Sequence, residues 1–360
     1  MTSEILTVGL IGGGRMGQEY ARFYQELPET ELVAIAEIHP ERRKVVGARF
    51  GVEALFAEAT DLFAAVVPDI VSIVLPGKYI RAAVLAAVAA GVRGISVDKP
   101  IGAVLADVDE MLTACAAAGI VFAGGNMQRA MTEVQQAAQR LRAGEFGPII
   151  GACVHRYGGE ISGGGCQHVA VLRLLTGAEI TEVVAAGAPE EALRSNCDEG
   201  LNISGQFRLS NGLVCPVFAA ETPYSGVDVW TQDALVRWDW GPPQIFRGVD
   251  ASGARRAIDA AYEPAEYPEF SYLGTTIQSF VRVARRGVEH EGELFVSARD
   301  QLLSLEVAVA AKHSALWGSL PVALPLTDRS LCLYPRAYRW LGGDQSGVAQ
   351  TLEEAAGTNN

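Results

Sequence analysis

The sequence predicts an α/β domain on a doubly wound parallel sheet, followed by a second, strand-rich domain. Three observations carry this reading. A glycine-rich turn stands directly between an apolar run and a helical stretch, an acidic residue follows it 20 positions later, and strand and helix signals alternate regularly to about residue 123.

Ile5-Leu6-Thr7-Val8-Gly9-Leu10-Ile11 has the composition of a strand buried on both faces of a parallel sheet. It runs straight into Gly12-Gly13-Gly14-Arg15-Met16-Gly17, after which a helical stretch continues to about Leu27. A GxGxxG between strand and helix is the fingerprint of a dinucleotide-binding Rossmann domain. Gly12 permits the tight turn, Gly14 lets the backbone approach a pyrophosphate, and Gly17 lets helix and strand pack closely. The N–H groups of the turn and helix start, from Gly13 through Arg15 and Met16, then meet the phosphate charge. The next strand, Leu32 to Ala36, ends at Glu37, placed to accept hydrogen bonds from the adenosine ribose hydroxyls. A carboxylate there repels a 2′-phosphate and favours NAD. Arg42 and Arg43 follow closely and can pair with such a phosphate, which keeps NADP possible.

Val45 to Phe50 reads as helix, Ile70 to Leu75 as a strand ending at Pro76, and Ile80 to Ala90 as a helix closed by Gly91. Ile95 to Val97 is the next strand, before Asp98-Lys99-Pro100; Asp107 to Gly119 is helix and Ile120 to Ala123 strand. Such alternation implies right-handed crossovers and a parallel sheet, with ligands beyond the carboxyl ends of the strands. Leu75, Pro76, Asp98, Lys99 and Asn126 all stand at such ends and are expected beside the cofactor. Further on, Asn202 to Leu209, Leu213 to Ala219, Val227 to Thr231 and Ala234 to Asp239 read as strands, with Asn211-Gly212 a hairpin turn. The expected division is residues 1–123, residues 124–343, and a polar tail, 344–360, without structure.

A net charge of −13 leaves no basic footprint for nucleic acid or anionic lipid. No apolar run approaches the ~20 residues that span a bilayer, and no secretory signal pattern opens the chain. The six cysteines (115, 153, 166, 197, 215, 332) lack CxxC spacing, which points to reduced thiols and a cytoplasmic protein. Cys166 is expected to be structural, because no basic neighbour is placed to lower its pKa. The five histidines are far apart, so no metal is expected.

In this order and spacing the motifs resemble the glucose–fructose oxidoreductase/inositol dehydrogenase/MocA family over nearly the whole chain. The glycine turn with Arg15-Met16 inside it, Glu37, and Pro76 standing 15 residues before Gly91 all match. Asp98-Lys99-Pro100 resembles the family's Glu-Lys-Pro, and Gly125-Asn126-Met127-Gln128-Arg129 its Gly-His-Asn-x-Arg. Arg142 to Ile149 is similar to the helix–turn–strand that opens the second domain, and Phe280 to Gly287 with Asp300 to Leu324 to the closing helices. The resemblance implies an open mixed β-sheet as the second domain, a pocket for a sugar-like polyol, and a homo-oligomer, dimer or tetramer, that buries the open face.

The chemistry so implied is hydride transfer, which needs a nicotinamide held against a carbinol carbon and a group for the hydroxyl proton. Lys99, one of only four lysines, suits stabilisation of the developing alkoxide, with Asp98 orienting it. The family's second catalytic element, Asp-x-Gly-x-His, reads here Gly163-Gly164-Gly165-Cys166-Gln167-His168. Counting back from Gly177 without a gap puts Gly163 at the aspartate and Gln167 at the histidine; a one-residue shift puts Gly164 and His168 there. The aspartate is missing in either register. His168 is the preferred acid–base residue, since imidazole exchanges protons near neutral pH. Failing it, Lys99 or Tyr157 must handle the proton, and Glu160 is the nearest carboxylate. Alternation on the strand ending at His155-Arg156-Tyr157 would send His155 and Tyr157 to one face. Arg129, Tyr157, Gln167 and His168 join Lys99 as candidate substrate contacts.

The leading expectation is an NAD(P)-dependent oxidoreductase acting on a secondary hydroxyl of a sugar, cyclitol or sugar-bearing metabolite. A redox-silent nucleotide- and sugar-binding regulator is the second reading. A lyase or hydrolase using tightly held NAD in a transient oxidation is the third. Fold does not separate these.

Overall fold

The computed structural model describes residues 5–219, 225–264 and 271–335. Among these, two compact units emerge: residues 5–126 with 276–301, and residues 127–219, 225–264 and 271–275 with 302–335.

The first unit alternates strand and helix: β1 (Leu6–Ile11), α1 (Arg15–Glu26), β2 (Thr30–Ala36), α2 (Pro40–Phe50), β3 (Ala54–Phe56), α3 (Ala59–Ala65), β4 (Ile70–Ile73), α4 (Gly77–Ala90), β5 (Gly94–Val97), α5 (Leu105–Ala118) and β6 (Val121–Gly124). All strand pairs are parallel, in the order β3-β2-β1-β4-β5-β6. This is the doubly wound Rossmann order, with its switch point beside β1. β1, β4, β5 and β6 are nearly solid runs of buried residues, as strands covered on both faces must be. Helices α2, α4 and α5 each end on a glycine in the left-handed region, Gly51, Gly91 and Gly119.

Three expectations are corrected here. β4 stops at Ile73 rather than Leu75, and β3 with α3 was not anticipated; three half-buried residues are too few to show a periodicity. The larger correction concerns domain boundaries. The first unit runs to Asn126, not 123, and residues 276–301 return to it from far along the chain. The reason is the exposed edge at β6, whose unpaired backbone groups need cover. Gly124 N–H donates to the Val296 carbonyl at 3.0 Å, Ala123 and Ser297 form a β-bridge, and Phe122 N–H donates to the Glu291 carboxylate at 2.8 Å. Phe280 fills the space beside Gly94, where a Cβ would lie 2.9 Å from its ring.

The second unit holds α6 (Thr132–Arg142), β7 (Ile149–His155), α7 (Gly165–Thr176), β8 (Ile180–Ala188), α8 (Glu190–Arg194), β9 (Asn202–Leu209), β10 (Val214–Phe218), β11 (Val227–Thr231), β12 (Ala234–Trp238), β13 (Gln244–Val249) and β14 (Arg255–Ile258). Helix α9 (Ser271–Arg286) leads into the returning segment, α10 (Ala298–Leu316) leads out of it, and β15 (Val322–Ala323) closes the sheet. The nine strands run β14-β13-β12-β11-β7-β10-β9-β8-β15. Every pairing is antiparallel except β7 with β10, so the sheet is mixed. All twelve residues of α7 are buried, and its Arg173 is balanced by a two-pronged pair with Glu179 at 2.6 and 2.8 Å. One sheet face is core: Ile203, Phe207, Cys215, Val217 and Val236 are buried. The other is open in this chain, with Val214, Pro216 and Phe218 of β10 exposed in alternation. The β9–β10 hairpin turns at Asn211-Gly212, Gly212 at φ +87°. The segment expected to be an unstructured tail, 344–360, lies outside the described residues.

Candidate functional site

The glycine turn is built by exclusion. Gly12 has φ +99°, and a Cβ on it would stand 2.2 Å from the Val74 carbonyl oxygen. A Cβ on Gly17 would stand 1.9 Å from the Gly12 carbonyl oxygen, so α1 presses on the turn it follows. Gly14 is different: a Cβ there meets nothing within 4 Å. It opens α1 without a side-chain cap, leaving the first-turn N–H groups facing outward, with Arg15 exposed and Met16 half-buried beside it. Gln18 secures the turn from beneath, its amide donating to the Gly13 carbonyl at 3.0 Å while Arg49 donates to its oxygen at 2.9 Å.

Glu37 is buried, and its two oxygens do separate work. Oε2 accepts from Gly13 N–H and Oε1 from His39 N–H, both at 2.8 Å. Arg42 approaches Oε1 at 3.5 Å, and Arg43 donates to the Glu37 carbonyl at 2.7 Å. The two arginines that can pair with a 2′-phosphate are thus both engaged with Glu37.

Gly12, Pro76, Lys99 and Asn126 follow four adjacent strands, β1, β4, β5 and β6. Leu75 is half-buried, and exposed Pro76 precedes the first turn of α4. Asp98 is buried; its N–H donates to the Ile73 carbonyl at 3.0 Å, and its Oδ1 accepts from Tyr20 at 3.3 Å. Burial, reinforced by the Asp98 charge, pushes the Tyr20 phenol well above its usual range, so it remains a donor. Lys99 is half-buried and joined to Pro100 by a cis peptide. Asn126 is buried at φ +24°, and the Gln301 amide donates to the Val97 and Gly125 carbonyls at 3.1 and 3.4 Å on either side of the site. Tyr20 and Gln301 were not foreseen. Tyr20 stands one turn after Gly17 on the same helix, a signal available in the sequence; Gln301 has none.

In the second unit, α7 begins at Gly165, so Gln167 and His168 are both helical and face different neighbours. The Gln167 amide oxygen accepts from Gln128 N–H at 2.7 Å, in the segment that carries half-buried Arg129. The imidazole of His168, 3% exposed, sits 3.2 Å from the Ser225 hydroxyl and edge-on to Tyr157, Trp238 and Trp240 at 5.6–6.2 Å. Burial, aided by nearby His155, pushes its pKa down to about 4. His168 is thus packed among aromatic rings, with burial disfavouring its protonated form. The pairing of His155 with Tyr157 is corrected. β7 ends at His155, Arg156 takes φ +57°, and the chain swings Tyr157 into the core while His155 meets Asp228 at 3.1 Å. Tyr157 is fully buried with its phenol pKa raised, its hydroxyl lacking a hydrogen-bond partner among the described residues. Cys166 is buried against the Gly163 carbonyl. Among the described residues no group of three or more His, Cys, Asp or Glu is arranged to hold a metal ion, and no helix is long and apolar enough to cross a membrane.

The glycine turn, the buried carboxylate of Glu37 and the strand-end cluster define a dinucleotide-binding Rossmann domain. Residues 6–125 match the family model described as an oxidoreductase family with an NAD-binding Rossmann fold. Over those residues the first unit matches the NAD-binding domain of the glucose–fructose oxidoreductase/inositol dehydrogenase/MocA oxidoreductases. A D-apiose dehydrogenase of Paraburkholderia graminis is 30% identical over 138 residues, 38% of this chain and 36% of that enzyme. Four such curated relatives are matched over only 36–48% of their own length. An uncharacterized oxidoreductase of Bacillus subtilis, YrbE, is 25% identical over 91% of this chain and 99% of its own. Among solved structures, an inositol dehydrogenase homolog from Azotobacter vinelandii, crystallised with NADH and myo-inositol, shares the fold at TM-score 0.74 and 16% identity, over 89% of this chain and 98% of that one.

Two outcomes follow. Gly14→Ala is expected to leave thermal stability unchanged while weakening NADH binding at least tenfold in a fluorescence titration, because only the ligand meets the new methyl group. Gly17→Ala, which drives a methyl into the Gly12 carbonyl, is expected to lower the unfolding temperature as well. The second concerns acid. The folded pKa of His168, near 4, lies below the 6.5 of an unperturbed imidazole, so the unfolded chain binds the extra proton first. Its effect on stability is nil above about pH 6.5 and reaches a loss of about 3 kcal/mol as pH falls to 4. Urea unfolding across that range is expected to show the slope, and His168→Gln to flatten it.

Proposed function

We propose that the protein is an NAD-dependent oxidoreductase that moves a hydride between the nicotinamide and a secondary hydroxyl or ketone of a sugar, cyclitol or sugar-bearing metabolite. The observation that carries this reading is Lys99: a half-buried ammonium on the loop after β5, directly following buried Asp98 and flanked by the strand ends that lead from the glycine turn. NAD, when bound, supplies the hydride acceptor. The backbone N–H groups at Gly14, Arg15 and Met16 take the pyrophosphate. Glu37, already held by two backbone N–H groups, keeps lone pairs for the ribose hydroxyls. A 2′-phosphate would meet that carboxylate while Arg42 and Arg43 are occupied, which favours NAD over NADP.

The proton is assigned to Lys99 Nζ. In its neutral form Nζ accepts the substrate hydroxyl proton, and in its ammonium form it stabilises the alkoxide and returns the proton in the reducing direction. Gly163 and Gly164 offer no carboxylate, and His168 and Tyr157 are buried, so no second proton group is invoked. Those same two facts support a redox-silent, nucleotide- and sugar-binding regulator as the second reading. The protein is further assigned to the cytoplasm, supported by six free thiols, and to a homo-oligomer whose copies cover the open face of the nine-stranded sheet.

With NAD and a panel of sugars and cyclitols, absorbance of the reduced nicotinamide is expected to report turnover on ring polyols. Lys99→Met should cut kcat by roughly 10²-fold or more with NADH affinity retained. Nucleotide binding without turnover on any member of the panel would favour the regulator instead. Sedimentation velocity is expected to return a dimer or tetramer that Phe218→Glu shifts towards monomer; a monomeric wild-type protein would end that part of the proposal.

A further inference from the structure

Tyr20 lies buried on α1, the helix that opens from the glycine turn. Its hydroxyl is the point where two strand-end loops meet. It donates to Asp98 Oδ1 at 3.3 Å in the loop after β5, and it accepts the Asn126 N–H in the loop after β6. Gly125 leaves room for it: a Cβ there would stand 1.9 Å from the Tyr20 oxygen and 2.9 Å from the Val97 carbonyl oxygen. We propose that Tyr20 is a positioning residue for Lys99: its hydroxyl ties α1 to the Asp98 carboxylate and so fixes where the adjacent amine stands. The proposal deepens the oxidoreductase reading and rests on it for the amine's role in proton exchange.

Residue 98 is held from two sides. Its N–H donates to the Ile73 carbonyl at 3.0 Å, which fixes the main chain to β4, while the side chain is fixed to α1. One residue earlier, the Gln301 amide joins the Val97 and Gly125 carbonyls at 3.1 and 3.4 Å. The two loops are therefore crossed at consecutive positions, 97 and 98 against 125 and 126, by an amide on one rung and a phenol on the next. Burial and the Asp98 charge both keep the phenol protonated, so its donor is always in place. Lys99 is the next residue in the chain, and α1 is also the helix whose first turn Gly14 leaves facing outward. Through Tyr20 the amine and that helix keep a fixed relation.

A second tyrosine on the same helix supplies the contrast. Tyr24, one turn further along α1 and equally buried, lies 2.7 Å from the Ser72 hydroxyl, which lies 2.6 Å from that of Ser96. That chain of hydroxyls stays within β4 and β5. Exchanging either tyrosine for phenylalanine removes one buried hydroxyl from α1, but only Tyr20 holds the residue before Lys99. Reactions are sensitive to such placement, with about 1 Å of displacement costing roughly 10²-fold in rate.

The test compares Tyr20→Phe with Tyr24→Phe in the full-length protein by two readouts. In the first, lysines are labelled by reductive 13C-methylation, and the Lys99 NMR signal, one of four from lysine side chains, is assigned with Lys99→Arg. In the second, unlabelled protein is assayed with NAD and myo-inositol, D-glucose or methyl β-glucopyranoside. Tyr20→Phe is expected to displace the Lys99 signal while leaving those of Lys44 and Lys78. It should also lower kcat about tenfold or more, with NADH affinity and the KM for NAD retained. Tyr24→Phe is expected to do neither, whatever its melting temperature. Should Tyr20→Phe not fold, the Asp98 variants decide: Asp98→Asn, which keeps the acceptor oxygen, is expected to recover most of the kcat lost in Asp98→Ala. An unmoved Lys99 signal in Tyr20→Phe, equal effects of the two phenylalanine variants, or equal losses in the two Asp98 variants would overturn the proposal. A signal displaced by Tyr20→Phe alone, with no wild-type turnover on any of the three sugars, supports the positioning of Lys99 and counts against the oxidoreductase reading. Turnover indifferent to Tyr20→Phe removes this role and leaves that reading intact.

Discussion

The short contact between the Glu37 carboxylate and the Gly13 N–H organises the first unit. It joins the end of β2 to the turn after β1 at 2.8 Å, in a setting where the carboxylate is 6% exposed. A buried ion is costly unless its hydrogen-bonding capacity is used, and here two N–H groups and a guanidinium at 3.5 Å share the charge. The carboxylate that follows β2 thus fixes the glycine turn that follows β1, and its displacement would loosen that turn.

The opposite end of the sheet shows a second constraint. β6 is an edge strand, and its free backbone groups are covered by chain arriving from residues 288–297. The same segment brings Gln301 to the Val97 and Gly125 carbonyls, so the cover for an aggregation-prone edge also braces the loops that carry Lys99 and Asn126. Stability and site geometry are served by the same atoms, and a domain cut after β6 would lose both.

What could be read from residues alone follows the range of the forces involved. The glycine turn, Glu37 and the strand ends were legible because their constraints are local: a Cβ clash, a helix start, a carboxylate at fixed spacing. The parallel sheet followed from connection rules. The return of residues 276–301 was not legible, because Phe280 meeting Gly94 is a contact across nearly two hundred residues with no local trace. The side chains of α7 stayed open between two registers for another reason. The helix begins earlier than its apolar pattern implies, and Gln167 and His168, one residue apart, turn about 100° from each other on a 3.6-residue helix. Counting could not choose between them. Packing does, sending the amide to the Gln128 N–H and the imidazole to the tryptophans.

That choice shapes the chemistry. An imidazole beside an aspartate is held ready to ionise; with glycine in the aspartate's place, the nearest imidazole has instead sunk into an apolar pocket that keeps it neutral. Its value there is geometric. Ser225 stands between His168 and Trp240, within hydrogen-bonding distance of both, so a residue unfit to carry protons helps set the angle of an exposed indole. In the first unit Lys99 directly follows Asp98, whose carboxylate is steadied by a tyrosine too deeply buried to ionise.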